Sequence, residues 1–182
     1  SGPDLQGEAW VSWQRQRQLV NEWLSDFGWA ELERVNCCQK TWGDGPYGRE
    51  HRFYGENNSN RNALTTAAVS RLLEGVMTDG LLSPPACHRL RSALARSLDQ
   101  GERSADPENQ VDGFLGEGLP ENSRLWSKAG WMSQARHDAA WWNEPEGTTQ
   151  LLVVFSVGVE RANDSQLLPG IARELAAFRQ DS

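Results

Sequence analysis

Residues 124–158 read RLWSKAGWMSQARHDAAWWNEPEGTTQLLVVFSVG. The runs Arg124–Trp131, Arg136–Trp142 and Gln150–Val157 break the helical period, carry tryptophans in the first two and valines in the third, and predict three strands. Asn143-Glu144-Pro145-Glu146-Gly147 is a hairpin turn between the second and third. Leu151-Leu152-Val153-Val154-Phe155 is apolar at every position, as expected of a central strand covered on both faces. A closing helix capped by Asn163 or Asp164 then carries Leu167, Leu168, Ile171, Leu175 and Phe178.

Upstream the period is helical. Residues 5–28 place Trp13, Val20, Leu24 and Phe27 on one face, and Gly28 stops the helix. Residues 30–62 are punctuated by Gly43, Gly45, Pro46, Gly48 and Gly55 and run on through Asn57-Asn58-Ser59-Asn60. They predict a long polar loop, of a length that is often functional. Thr65 or Thr66 caps a second helix with an apolar stripe of Val69, Leu72, Leu73 and Val76. Ser83-Pro84 opens a third, lined by Cys87, Leu90, Leu94 and Leu98. Residues 99–123, rich in Gly, Pro and acids, predict a surface loop with one short helix near Phe114-Leu115. The order predicts an α+β fold in one domain: a mainly helical part over 5–123, then antiparallel strands and a closing helix over 124–182.

Eighteen Lys and Arg against 25 Asp and Glu leave a formal charge of −7. An acidic chain is not expected to bind nucleic acid, which calls for a basic face. No apolar run approaches the ~18 residues of a membrane span. The start, Ser1-Gly2-Pro3, carries no signal-peptide pattern and fits the scar of a cleaved tag. Cys37, Cys38 and Cys87 make neither a disulfide framework nor a zinc-site spacing, so no metal and no cofactor is expected. Unpaired thiols lean the expected compartment towards the cytoplasm.

Only two residues are lysines, Lys40 and Lys128. In Lys128-Ala129-Gly130, a strand ammonium supplies a fixed positive charge, while the small residues let a ligand backbone approach the strand edge. The plainer alternative is a surface Lys beside a tight strand. Of the nine Trp, Trp42 and Trp131 sit beside glycines and are candidates to line a cleft. His137 is expected to be a buried hydrogen-bonding residue of its strand, not a catalyst.

The stretch Leu125–Ala140, the hairpin and Leu151–Gly158 together resemble the C-terminal part of the class A β-lactamase-like serine hydrolases, which include the penicillin-binding proteins. In that family a Lys-Thr/Ser-Gly strand borders the active site. Asn62–Val69 resembles the helix after the family's omega-shaped loop, and Gln18–Leu24 the helix after its Ser-Asp-Asn element. The resemblance implies roles residue by residue. Lys128 matches the family's strand lysine, Ala129 replaces the hydroxyl residue, and Gly130 is retained. With Trp131 and Gln14, Ala129 and Gly130 would line the substrate site. Glu50 falls near the omega-loop general base, and Ser12-Trp13-Gln14 falls where Ser-Asp-Asn would be, with only the Ser kept. Alternatively, Glu50 is one acid in the Arg49-Glu50-His51-Arg52 charge cluster, and Ser12 is a plain helix position.

The family's nucleophile lies in Ser-x-x-Lys. Leu125 precedes Lys128 by three positions and Cys37 precedes Lys40, so no Ser-x-x-Lys is present. The resemblance therefore covers the C-terminal two thirds of such a protein. A missing N-terminal segment or a second copy is expected to cover the sheet's open edge. Three functions remain open. One is an acyl-serine hydrolase of a lactam, amide or peptide whose nucleophile segment is absent from this chain. Another is a non-catalytic binding or assembly domain on the same scaffold. The last is an unrelated α+β binding module that would leave Lys128 away from any cleft.

Overall fold

The computed structural model describes residues 4–40 and 45–180. The chain divides after Ala68 into two compact units.

In the first unit, α1 (Gly7–Ser25) is followed by a 3-10 turn at Ala30–Leu32 and by α2 (Arg49–Tyr54). Trp10 and Trp13 stack at 5.2 Å, and Phe53 of α2 meets Trp13 edge-on at 5.3 Å. Arg52 lies 4.1 Å over Trp10, and Arg49 lies 5.1 Å over Trp13. The working face of α1 is thus Trp10, Trp13 and Arg17, at helical spacing; Val20, expected on the inward stripe, is exposed.

The long loop is more ordered than its composition predicts. Asn36 accepts from Asn21 Nδ2 at 2.8 Å and donates to the carbonyls of Ser59 and Arg61. Its backbone exchanges two hydrogen bonds of 2.9 Å with Ala63. Asn60 Nδ2 donates to Phe53 O at 2.7 Å, and Asn62 ties itself to Gln39. Asparagine side chains here replace a ladder of strand hydrogen bonds.

α3 (Thr66–Met77) starts at the end of the first unit and runs into the second. Thr65 Oγ1 accepts from the Ala68 N–H at 3.1 Å, which makes Thr65 the cap. In the second unit, α4 (Pro84–Leu94), β1 (Ala95–Arg96), α5 (Gln100–Ala105) and a 3-10 turn (Leu115–Gly118) lead into β2 (Arg124–Met132), β3 (Ala135–Asn143) and β4 (Thr149–Val157). The strands pair antiparallel in the order β1-β2-β3-β4. α6 (Val159–Asn163) and α7 (Leu167–Gln180) close the chain.

One sheet face carries Leu125, Ala129, Ala140 and Trp142 into a core with Val111, Phe114, Leu115, Leu168 and Ala172. The expected surface loop is therefore partly core. Val111, Phe114 and Leu115 are buried because the following turn has glycines where the sheet and α7 come close. A Cβ at Gly116 would lie 2.6 Å from Leu125 Cδ2, and one at Gly118 would enter the shell of the Pro169 carbonyl oxygen.

Two further expectations need correction. The closing helix is not capped at Asn163 or Asp164. Asp164 ends α6, its Oδ1 takes the Gln166 N–H at 2.8 Å, and the helix restarts at Leu167. β4 is an edge strand, not a central one: among the described residues no strand pairs with its far side, so Leu151–Phe155 are only half-buried. β1 is so short that it pairs only with Leu125 and Trp126, leaving the outer edge of β2 without a strand from Ser127 onward.

Candidate functional site

Alternation along β2 sends neighbouring side chains to opposite faces. Ala129 is 2 % exposed within the core, so its methyl contributes packing and only its backbone faces the strand edge. Lys128 projects from the other face, opposite Ala139 of β3. There its stem borders an apolar cavity of about 190 Å³ lined by Val69, Leu72, Leu73 and Val76 of α3, with Leu94 and Ala139.

The Lys128 ammonium is held at the free edge of its own strand. Nζ donates to Gln110 Oε1 at 3.0 Å and to the Ala129 carbonyl. The Ala129 N–H donates to the same Gln110 oxygen at 3.2 Å. Gly130 is half-buried, and a Cβ there would meet nothing within 4 Å, so the sheet face over it is open. Trp131 is half-exposed and leans on Phe114 at 5.5 Å between ring centres.

Across from Ala129, Asp138 is 1 % exposed and takes the Leu115 N–H at 3.0 Å. Burial pushes its carboxyl up to about 6, against the backbone N–H groups of Leu115 and Ala139 and the charges of Lys128 and Arg96, which pull it down. Its bond to Leu115 pins the glycine-bearing turn to the sheet. His137 accepts the Ser156 N–H at 3.1 Å on Nδ1, the hydrogen-bonding role expected of it.

The other site residues anticipated from sequence lie in the first unit. Glu50, in the first turn of α2, is largely enclosed: its side chain is 12 % exposed, and Oε2 lies 3.5 Å from Arg17 Nη2. It is therefore not a free acid in a solvated cluster. Ser12 sits on the exposed side of α1, and Gln14 is half-buried on the same helix. Trp42 falls outside the described residues. In Cys37-x-x-Lys40, burial foremost, and then the neighbouring Cys38, push the Cys37 thiol up, which disfavours the nucleophilic thiolate. Among the described residues, no group of three metal-ligating side chains comes together.

Two partners went unread in the sequence. Arg17 was legible, since it repeats the Trp10 and Trp13 spacing on α1. Gln110 was not: it lies 18 positions before Lys128 in a polar loop, and no local pattern joins them.

The model of the beta-lactamase enzyme family matches residues 15–178. Among solved structures, PBP-A is similar at 16% identity and a TM-score of 0.58, covering 88% of this chain and 51% of its own. A beta-lactamase from Sphaerobacter thermophilus matches at 18% identity and a TM-score of 0.60, over 87% and 52%. A variant of the reconstructed last common ancestor of Gram-negative class A beta-lactamases matches at 19% identity and 0.59, over 90% and 55%. The chain spans about half the length of these proteins and shares their α+β fold. No curated protein matches the sequence.

Proposed function

We propose, from the premise that this chain belongs to the beta-lactamase enzyme family, that it supplies the Lys-bearing strand of an acyl-serine hydrolase acting on a lactam, amide or peptide. The nucleophile then comes from a segment outside this chain. The observation that carries this reading is the edge of β2, where the Lys128 ammonium and the Ala129 N–H converge on one acceptor oxygen beside a glycine with open space over it. Such an edge receives a carbonyl or carboxylate and holds it with one charge and one directed hydrogen bond. A mutant of PBP-A forms an acyl-enzyme complex with penicillin G, and this chain's likeness to PBP-A makes a penicillin the natural first probe. The apolar cavity beside Lys128 is space that an added segment bearing a serine would fill. By the resemblance, Glu50, enclosed against Arg17, would serve as the general base for deacylation, Ser12 would be a further catalytic residue, and Gln14 would contact substrate.

A second reading, a binding or assembly domain without catalysis, is favoured by one specific observation. Ala129 stands where the resemblance puts the family's hydroxyl residue, and a methyl offers no hydrogen bond to a substrate.

Intact-mass spectrometry after incubation with a fluorescent penicillin and, separately, a fluorophosphonate decides between them. It is run on this chain and on the full-length gene product. A stable adduct on the longer form alone, lost when Lys128→Met is introduced there, supports the hydrolase. No adduct on either form, together with retention of the intact penicillin by a folded chain, supports the binding domain. An adduct on this chain alone places the nucleophile within these residues and overturns the proposal of an outside segment.

A further inference from the structure

The Lys128 edge is already occupied by the chain's own side chain. One oxygen, Gln110 Oε1, accepts from both the Lys128 ammonium and the Ala129 N–H, at 3.0 and 3.2 Å. A carbonyl oxygen has two lone pairs, and here both are committed to this edge. Because β1 pairs only with Leu125 and Trp126, no strand competes for the Ala129 N–H.

The loop behind Gln110 is firmly built. Asn109 Oδ1 takes the N–H groups of Val111 and Asp112, and Asn109 Nδ2 donates to the carbonyls of Arg103 and Asp106. The backbone at 110 is thereby fixed while the side chain reaches out to the sheet. Gln110 also lines a cavity of about 370 Å³ together with Arg96 and Arg103. The amide thus has room to swing away without moving the loop.

We propose that Gln110 is an internal stand-in ligand: its side-chain oxygen holds the place where a carboxylate or amide carbonyl of a bound molecule meets Lys128 and Ala129, and it must leave for that molecule to bind. This deepens the reading of the β2 edge given above and rests on it. The ligand class follows from the chemistry: an acceptor oxygen, anionic or strongly polarised, able to take a bond from an ammonium and a backbone N–H together. A neutral amide is the right occupant for such a role. It satisfies both donors when the site is empty, yet a carboxylate outcompetes it, because a charge-assisted bond is stronger than a neutral one.

The test is titration with N-acetylglycinate, which carries both acceptor types, followed through the Ala129 and Leu115 amide resonances of the 15N-labelled chain. Gln110→Ala empties the position, and binding is expected to tighten at least about fivefold, the lower end of what two hydrogen bonds no longer displaced are worth. Gln110→Glu puts a carboxylate on Lys128 and is expected to weaken binding by at least about tenfold. An unshifted Leu115 amide, which reports its bond to Asp138, shows that each variant is folded. Lys128→Met removes binding in every background. If Lys128→Met leaves binding unchanged, the reading of the β2 edge itself falls. If Lys128 matters but Gln110→Ala binds equally or more weakly, the stand-in role alone is overturned. Absence of saturable binding to folded Gln110→Ala also overturns it.

Discussion

The two units hold themselves together by different chemistry. The second closes an aliphatic and aromatic core against a sheet, with Leu115, Ala140 and Leu168 wholly excluded from solvent. The first has a small buried cluster, Trp10, Cys38 and Phe53, and relies on arginines over tryptophans and on asparagine side chains threaded through a long loop. Apolar packing is non-directional and tolerates local adjustment. A polar network is directional, and each missing member leaves a partner unsatisfied. The second unit should therefore respond to the volume of a substitution, and the first to its hydrogen-bonding.

Trp142→Ala tests the volume side and carries the largest expected effect. Trp142 is 2 % exposed and its Nε1 donates to Glu144, so truncation removes packing and one bond together. A loss of about 3–5 kcal/mol is expected in chemical denaturation. Hydrogen exchange should rise first in β2 and β3. A loss below about 1 kcal/mol would mean that the sheet core is not the element that carries stability.

Asp138 is the exception that sharpens the contrast, a carboxyl inside the aliphatic core. Its carboxyl titrates near 6 in the fold and at an ordinary carboxylate value in the unfolded chain. Between those two values the folded state binds more protons than the unfolded one. Stability contributed by this group is therefore full at low pH and falls as pH rises towards 6. The expected loss is about 2–3 kcal/mol in all, on the order of two titration units. Asp138→Asn keeps an acceptor for the Leu115 N–H and should flatten that slope. A denaturation series from pH 4 to about 7 that is identical in both proteins would remove Asp138 as its cause.

The strands of the second unit were legible because their cue is local. Aromatic and β-branched residues with a five-residue hairpin gave Arg124–Met132, Ala135–Asn143 and Thr149–Val157 almost to the residue. The order of β4 in the sheet was not legible. Leu151–Phe155 is apolar on both faces whether a neighbour lies beyond it or not, and composition does not name the neighbour. The burial of Phe114 and Leu115 was hidden by the glycines and acids around them, which read as loop while serving as a close contact. In the candidate site the sequence drew attention to Lys128, where a strand, a lysine and a glycine coincide. Gln110 and Arg17 complete the surroundings of Lys128 and Glu50 through contacts between distant positions.

Asn36→Ala tests the directional side. It removes one acceptor and two donors, and Asn21, Cys38, Ser59 and Arg61 each lose a partner. The expected cost is about 1–3 kcal/mol, more than its few side-chain atoms would give by burial alone. Hydrogen exchange should quicken over residues 57–63 while β2 and β3 keep their protection. Asn36→Asp retains the acceptor and loses the donors, and should fall between the two. If Asn36→Ala costs no more than an exposed surface change, the loop is held by α2 and the Trp10–Trp13–Phe53 stack instead, and the contrast between the units is one of size only.

The smallest expected effect is the most useful for the site. Ser12 lies on the exposed side of α1, away from the Trp10, Trp13 and Arg17 face, so Ser12→Ala should change stability by less than about 0.5 kcal/mol. Because the fold is indifferent to this hydroxyl, any change in penicillin acylation of the full-length protein reads chemistry directly. A hydroxyl that passes a proton or holds the substrate in the transition state is worth about 10²–10⁴-fold in rate. A drop of that size in acylation rate, with an unchanged denaturation midpoint, makes Ser12 part of the site. An unchanged rate leaves it a helix surface residue and removes Ser12 from the proposed site.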